Sequence, residues 1–195
     1  RAPHALHMPA PIFPRVGAWE DSVAVNRRSA DVAKSDGNGN EAFHAADYMV
    51  YANLQLGRDQ QARKVLDELN REVKTNPAVF VGPYAAAAIP ARIAVERGDW
   101  TAASQLQQQA GQFAFVEAIT TFSRALGAAR KGDAAAAEQD AAKLEAQHKA
   151  LVEAKNNYWA GEVEVQRIAA AAWIAKAKGQ NDEALRLMRA AADME

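Results

Sequence analysis

Residues 48–69 read YMVYANLQLGRDQQARKVLDEL, two amphipathic helical patterns that meet at Leu56-Gly57-Arg58-Asp59. Glycine tolerates the left-handed conformation in which many helices end, so Gly57 is the expected stop of the first helix. Asp59 is placed to cap the second by accepting backbone N–H bonds. Ala62 follows, small enough for the two helices to approach closely where they cross. The stretch predicts a helical hairpin, with helices over 41–56 and 59–74.

The same unit recurs along the chain. Gly17-Ala-Trp-Glu-Asp-Ser22, Gly57-Arg-Asp-Gln-Gln-Ala62, Gly98-Asp-Trp-Thr-Ala-Ala103, Gly132-Asp-Ala-Ala-Ala-Ala137 and Gly179-Gln-Asn-Asp-Glu-Ala184 each place a small residue five positions after a glycine. The glycines are spaced by 40, 41, 34 and 47 residues. One spacing equals the ~34-residue tetratricopeptide period, and the others are the same or a similar helix–turn–helix unit with longer loops.

The pattern resembles the tetratricopeptide repeat superfamily, and the resemblance covers nearly the whole chain. GDW-x-x-A at 98–103 and G-x-W-x-x-S at 17–22 are good copies of that family's inter-helix turn. HALHMPAPIFPRVGAWEDSVAVNRRSADVA at 4–33, HAADYMVYANLQLGRDQQARKVLDEL at 44–69 and IPARIAVERGDW at 89–100 resemble more narrowly a group of longer bacterial tetratricopeptide-repeat proteins without an established activity. The resemblance implies an all-α fold: a right-handed α-solenoid of about five antiparallel helical hairpins in one domain, over 2–34, 41–74, 84–111, 113–154 and 158–194.

Composition agrees with close-packed helices. Hydrophobic residues are 49% of the chain but aromatics only 7%, so alanine, the best helix former, carries much of the apolar content. Its runs at 85–88, 134–137 and 169–172 favour helices over strands. A net charge of −1 leaves no electrostatic footprint for nucleic acid. No apolar run approaches the ~18 residues of a membrane span. The chain has no cysteine, which excludes disulfides and thiolate metal sites but leaves the compartment open. The expectation is a soluble protein, cytoplasmic or periplasmic. The opening RAPHAL and the uncapped helical ending ALRLMRAAADME read as cuts through a longer protein, whose lost part would include any signal peptide.

Met8-Pro9-Ala10-Pro11-Ile12-Phe13-Pro14 carries three prolines in six residues and predicts a broken first helix over 2–17. Members of the group that this stretch resembles usually have histidine where Pro11 stands and no proline at 14. Ser35–Asn40 is a polar, glycine-rich loop. The apolar connector Ala78–Val81 is expected to tuck against the helices, Pro90 to kink the helix that contains it, and Asn156-Asn157 to mark a turn.

In a tetratricopeptide array the first helices of successive units line a concave groove. His4 and His7 stand thirteen and ten residues before Gly17, and His44 and Asp47 stand at the same distances before Gly57. The register implies two i,i+3 pairs on adjacent groove helices, a donor set for zinc or another divalent ion. The histidine that Pro11 replaces would have faced the same groove, and there is no HExxH. Tyr48, Tyr51, Asn53, Arg92 and Glu96 are read onto this side as well, an aromatic and polar lining suited to an extended peptide. Trp19, Trp100 and Trp173 are expected in the core between helices. His148 reads as solvated, and no nucleophile elbow, phosphate loop, dinucleotide fingerprint or EF-hand spacing occurs. The favoured function is a non-catalytic scaffold that holds a protein partner or peptide. The alternatives are a divalent-metal site at His4, His7, His44 and Asp47 and a purely architectural part of a larger protein.

Overall fold

The computed structural model describes residues 2–108 and 111–195. Among the described residues it is all helical, with no strand. The order is α1 (Pro3–His7), a 3-10 turn (Phe13–Val16), α2 (Trp19–Ser35), α3 (Gly39–Gln55), α4 (Asp59–Glu72), α5 (Val81–Glu96), α6 (Trp100–Ser104), α7 (Ala114–Arg130), α8 (Ala134–Glu153), α9 (Asn157–Ala177) and α10 (Asn181–Met194). The chain divides into two compact units, one ending at Glu96 and one spanning Arg97–Glu195.

In the first unit α3 is central. It packs on α1, α2, α4 and α5. Ala42, Ala45, Ala46 and Ala52 let these neighbours close on it, while Phe43, Met49, Val50 and Leu54 fill the core with Val65 and Leu69 of α4 and Ile89 and Ile93 of α5. The helix ends as Gly57 requires, with φ of 72°. Gly57 N–H donates to the Leu54 carbonyl at 3.0 Å and Arg58 N–H to that of Asn53 at 2.8 Å, which satisfies two of the last free carbonyls. Asp59 is not the cap of α4. The cap position is Arg58, which makes no side-chain capping bond. Asp99 and Asp133 directly follow their glycines and do cap, accepting from Ala102 N at 2.9 Å and Ala136 N at 3.0 Å. Asp59 is one residue further on, inside the first turn, where its charge favours the positive end of the helix dipole.

The proline-rich opening breaks as its composition demands: α1 stops at His7 and the chain resumes as the 3-10 turn at Phe13. With only five residues, α1 is held by a polar stripe on α2. Ser22, Asn26 and Ser29 are fully buried there, and the Ser29 hydroxyl donates to the Pro3 carbonyl at 2.7 Å. The apolar connector does not tuck away, since Val79 and Phe80 are 46% and 40% exposed. Helix α5 already starts at Val81, and its Gly82 fits against Asn40, whose Oδ1 also accepts from Asn76 N at 2.8 Å. It continues through Pro90 to Glu96.

In the second unit α7 packs on α6, α8 and α9, and α9 on α8 and α10. Phe115 and Trp159 stack with ring centres 4.1 Å apart. The helix expected over 100–111 ends at Ser104, and positions 109–110 lie outside the described residues. Beyond Ser104 the chain bonds to α7 instead: Leu106 O accepts from Arg124 Nη1 at 2.8 Å and Gln108 Nε2 donates to Thr121 Oγ1 at 2.8 Å. Trp100 and Trp173 are half-buried rather than deep in the core. The Arg130 guanidinium lies over both rings, 4.6 Å and 4.3 Å from their centres. The turn expected at Asn156-Asn157 comes one residue earlier, at Lys155, whose φ is 55°.

Candidate functional site

One face of the first unit collects most of the chain's unusual side chains. It draws on α1, α3 and α5, with contributions from α2. The side chains of α3 at 44, 48, 51 and 55 recur at helical spacing along this face, with Asp47 beside them.

The part of this face next to α1 is a cluster of imidazoles. His7 is 2% exposed, with its ring centre 4.4 Å from that of His44. His4 lies 5.9 Å from His7 and 6.0 Å from His44. Tyr48 meets His7 edge-on at 4.7 Å and His44 at 5.9 Å. His7 Nδ1 is 2.7 Å from Asn26 Oδ1, and His4 Nδ1 is 3.3 Å from Glu41 Oε2. Burial pulls His44 down to about 4, and the neighbouring His7 adds to the shift. Burial also lowers His7, against the opposing bond to Asn26. Both rings are therefore neutral at pH 7 and retain a nitrogen lone pair.

Towards α5 the face changes character. Asp47 accepts from Arg92 Nε at 3.2 Å and Nη2 at 3.3 Å. Burial raises the Asp47 carboxyl above its ordinary value, against the pull of the Arg92 guanidinium. The same guanidinium lies 5.1 Å from the centre of the Tyr51 ring, and Tyr51 meets Trp19 edge-on at 5.6 Å. At the far end Gln55 Nε2 donates to Glu96 Oε2 at 3.3 Å.

The fold thus brings together His4, His7 and His44 as the spacing implied, and separately Tyr51, Arg92 and Asp47. Asp47 does not join the imidazoles, because its oxygens are engaged by Arg92. Among the described residues no group of three or more His, Cys, Asp or Glu side chains could hold a metal ion. Asn53 does not join the row either. It is 4% exposed, its amide donates to the Met49 carbonyl of its own helix, and it borders an open cleft with Val23, Arg27 and Glu68. Asn26 and Glu41 were not foreseen from sequence. The i,i+4 spacing of Ser22 and Asn26 on an otherwise charged helix is the signal that could have marked a polar docking stripe. His148 is half-buried, 3.7 Å from Glu164, rather than solvated.

No protein-family model matches the chain, and neither a curated protein nor a solved structure does. Among the described residues no helix is long and apolar enough to cross a membrane.

Proposed function

We propose that the chain is a non-catalytic scaffold of the tetratricopeptide type: a right-handed solenoid of about five antiparallel hairpins that holds a protein segment or peptide along its first helices. Two regularities support the repeat. The five turn glycines all take φ between 64° and 83°. The small residues five positions later, Ser22, Ala62, Ala103, Ala137 and Ala184, are all buried. Alternate helices also pack on one another, α1 on α3, α3 on α5 and α7 on α9, as stacked hairpins require.

The observation that carries the binding role is the row across α1, α3 and α5. Tyr48, Tyr51 and Arg92 are half-buried there, with Gln55 and Glu96 exposed beyond them. Rigid tyrosines and a guanidinium fixed by Asp47 lose little entropy when a ligand docks, and Tyr and Arg are enriched among residues that dominate binding energy. An extended segment with both apolar and carboxylate groups matches that surface.

The experiment is selection from a displayed random-peptide library, followed by affinity measurement of an enriched peptide. Tyr51→Ala should weaken binding about 10-fold or more, the loss of one anchor worth over ~1.4 kcal/mol. Lys64→Ala, on the exposed side of α4, should leave it unchanged. Equal affinity for the parent and Tyr51→Ala would remove the groove reading. Arg92→Ala is a poor first test, since it strands a buried carboxylate.

A further inference from the structure

Helices α2 and α4 both pack on α3, but their backbones stay apart. Ion pairs tie them at two places. Near their starts Arg58 Nη1 donates to Glu20 Oε2 at 2.8 Å, and further along Arg27 Nη1 donates to the Glu68 carboxylate at 3.0 Å. Between the ties lies an open cleft of about 420 Å³. Clefts of that size take small organic molecules. Val23 of α2 and Val65 of α4 line it, with Met49 of α3, only 1% exposed, beneath them.

Asn53 lines the same cleft, one helical turn from Met49. Its amide nitrogen donates to the Met49 carbonyl at 2.8 Å. A carbonyl only accepts, so it is the carboxamide oxygen that is turned away from its own helix. Asn53 is 4% exposed, and this oxygen has no partner among the described residues. Nor is it sealed in the interior, since the cleft is where the residue meets solvent. Polar atoms of buried side chains are almost always hydrogen-bonded, so this oxygen needs a donor from outside the chain.

The charges around the cleft are unequal. Arg27, Arg58 and Lys64 face a single carboxylate, Glu68, which Arg27 and Lys34 already hold. Arg58 is occupied by Glu20. The exposed Lys64 ammonium has no partner among the described residues. The excess of positive charge favours an anionic group at the rim.

We propose that this cleft binds a small organic carboxylate with an apolar body and an N–H group beside it, the composition of an N-acylated apolar amino acid. The carboxylate pairs with Lys64, the N–H donates to Asn53 Oδ1, and the apolar body covers Val23, Val65 and Met49. Apart from Asn53, which the structure turns away from that row, the site shares nothing with the α1–α3–α5 face, so it neither needs nor excludes a peptide there.

The test is a nuclear magnetic resonance titration of the isotope-labelled full chain with N-acetyl-leucine. Saturable shift changes are expected at Asn53, Lys64 and Val65, with a Kd of about 1 mM or lower. N-acetylleucinamide lacks the charge and 4-methylpentanoate lacks the N–H, and each should bind at least about 5-fold more weakly. Lys64→Glu should weaken N-acetyl-leucine about 10-fold or more, while Lys149→Glu, exposed on α8, should leave it unchanged. In Asn53→Ala the preference over 4-methylpentanoate should disappear. Circular dichroism reports whether that variant folds; should it fail, Lys64→Glu, at an exposed position, decides alone. No saturation up to about 10 mM, equal binding of either control compound, or equal affinity of Lys64→Glu and the parent overturns the assignment. Shift changes confined to Tyr48, Tyr51 and Arg92 would overturn it as well.

Discussion

His44 sits half-buried on α3 with two other imidazoles against it, and burial first, then His7, brings its pKa to about 4. In the unfolded chain the ordinary value of 6.5 returns. Between these values the unfolded state binds more protons, so this contribution is complete above pH 6.5 and is lost as pH falls through 4. His7 shifts in the same direction. In the presence of a chelator, urea melts should show stability falling between pH 6.5 and 4.5. His44→Gln should remove about 2 kcal/mol of that dependence, a figure discounted for the ring's remaining solvent contact. A pH profile that the substitution leaves unchanged would mean that His44 titrates normally. The sequence places His4, His7 and His44 on facing helices because i,i+3 spacing and repeat register define a face. It assigns Asp47 to them for the same reason and reads Arg92 onto the same side as a peptide-binding residue, whereas Arg92, forty-five residues further along, takes that carboxylate. Spacing specifies the face of a helix but not which neighbour arrives there.

At the scale of elements the turns were legible and the lengths less so. Glycine at six helix ends among the described residues takes the one conformation that it alone adopts cheaply. The α8–α9 turn has no glycine: Lys155 takes the left-handed conformation there, at φ of 55°. Lys155→Gly should relieve that strain and raise stability by about 0.5–1 kcal/mol, measured by chemical denaturation. A destabilised variant would show that the lysine side chain contributes more than its backbone costs. Gly127 presents the opposite case, a mid-helix glycine that sequence reasoning passed over. A Cβ there would lie 2.5 Å from Ser104 N and 2.8 Å from the Trp100 carbonyl, both backbone atoms. Gly127→Ala should therefore cost about 2 kcal/mol despite its better helix propensity, and a rise in melting temperature would contradict the close α6–α7 approach. The shortness of α6 has the same origin. Its alanines promised a longer helix, but Arg124 and Thr121 of α7 bond the chain after Ser104. Such long-range capture leaves no local trace.

For the molecule as a whole, the repeat was the most legible feature, since each unit restates the same glycine and the same buried small residue. The side chains gathered on the α1–α3–α5 face were less legible, because they are free of the packing rule that makes the turns recur. The proposed scaffold function requires the α1–α3–α5 face of the first unit to be the binding face. The most direct measurement is nuclear magnetic resonance of the isotope-labelled protein titrated with a library-selected peptide. Peptide binding on this face should give shift changes concentrated at Tyr48, Tyr51, Arg92 and Glu96. Changes confined to α4 and the outer face of α2, with that row silent, would contradict it.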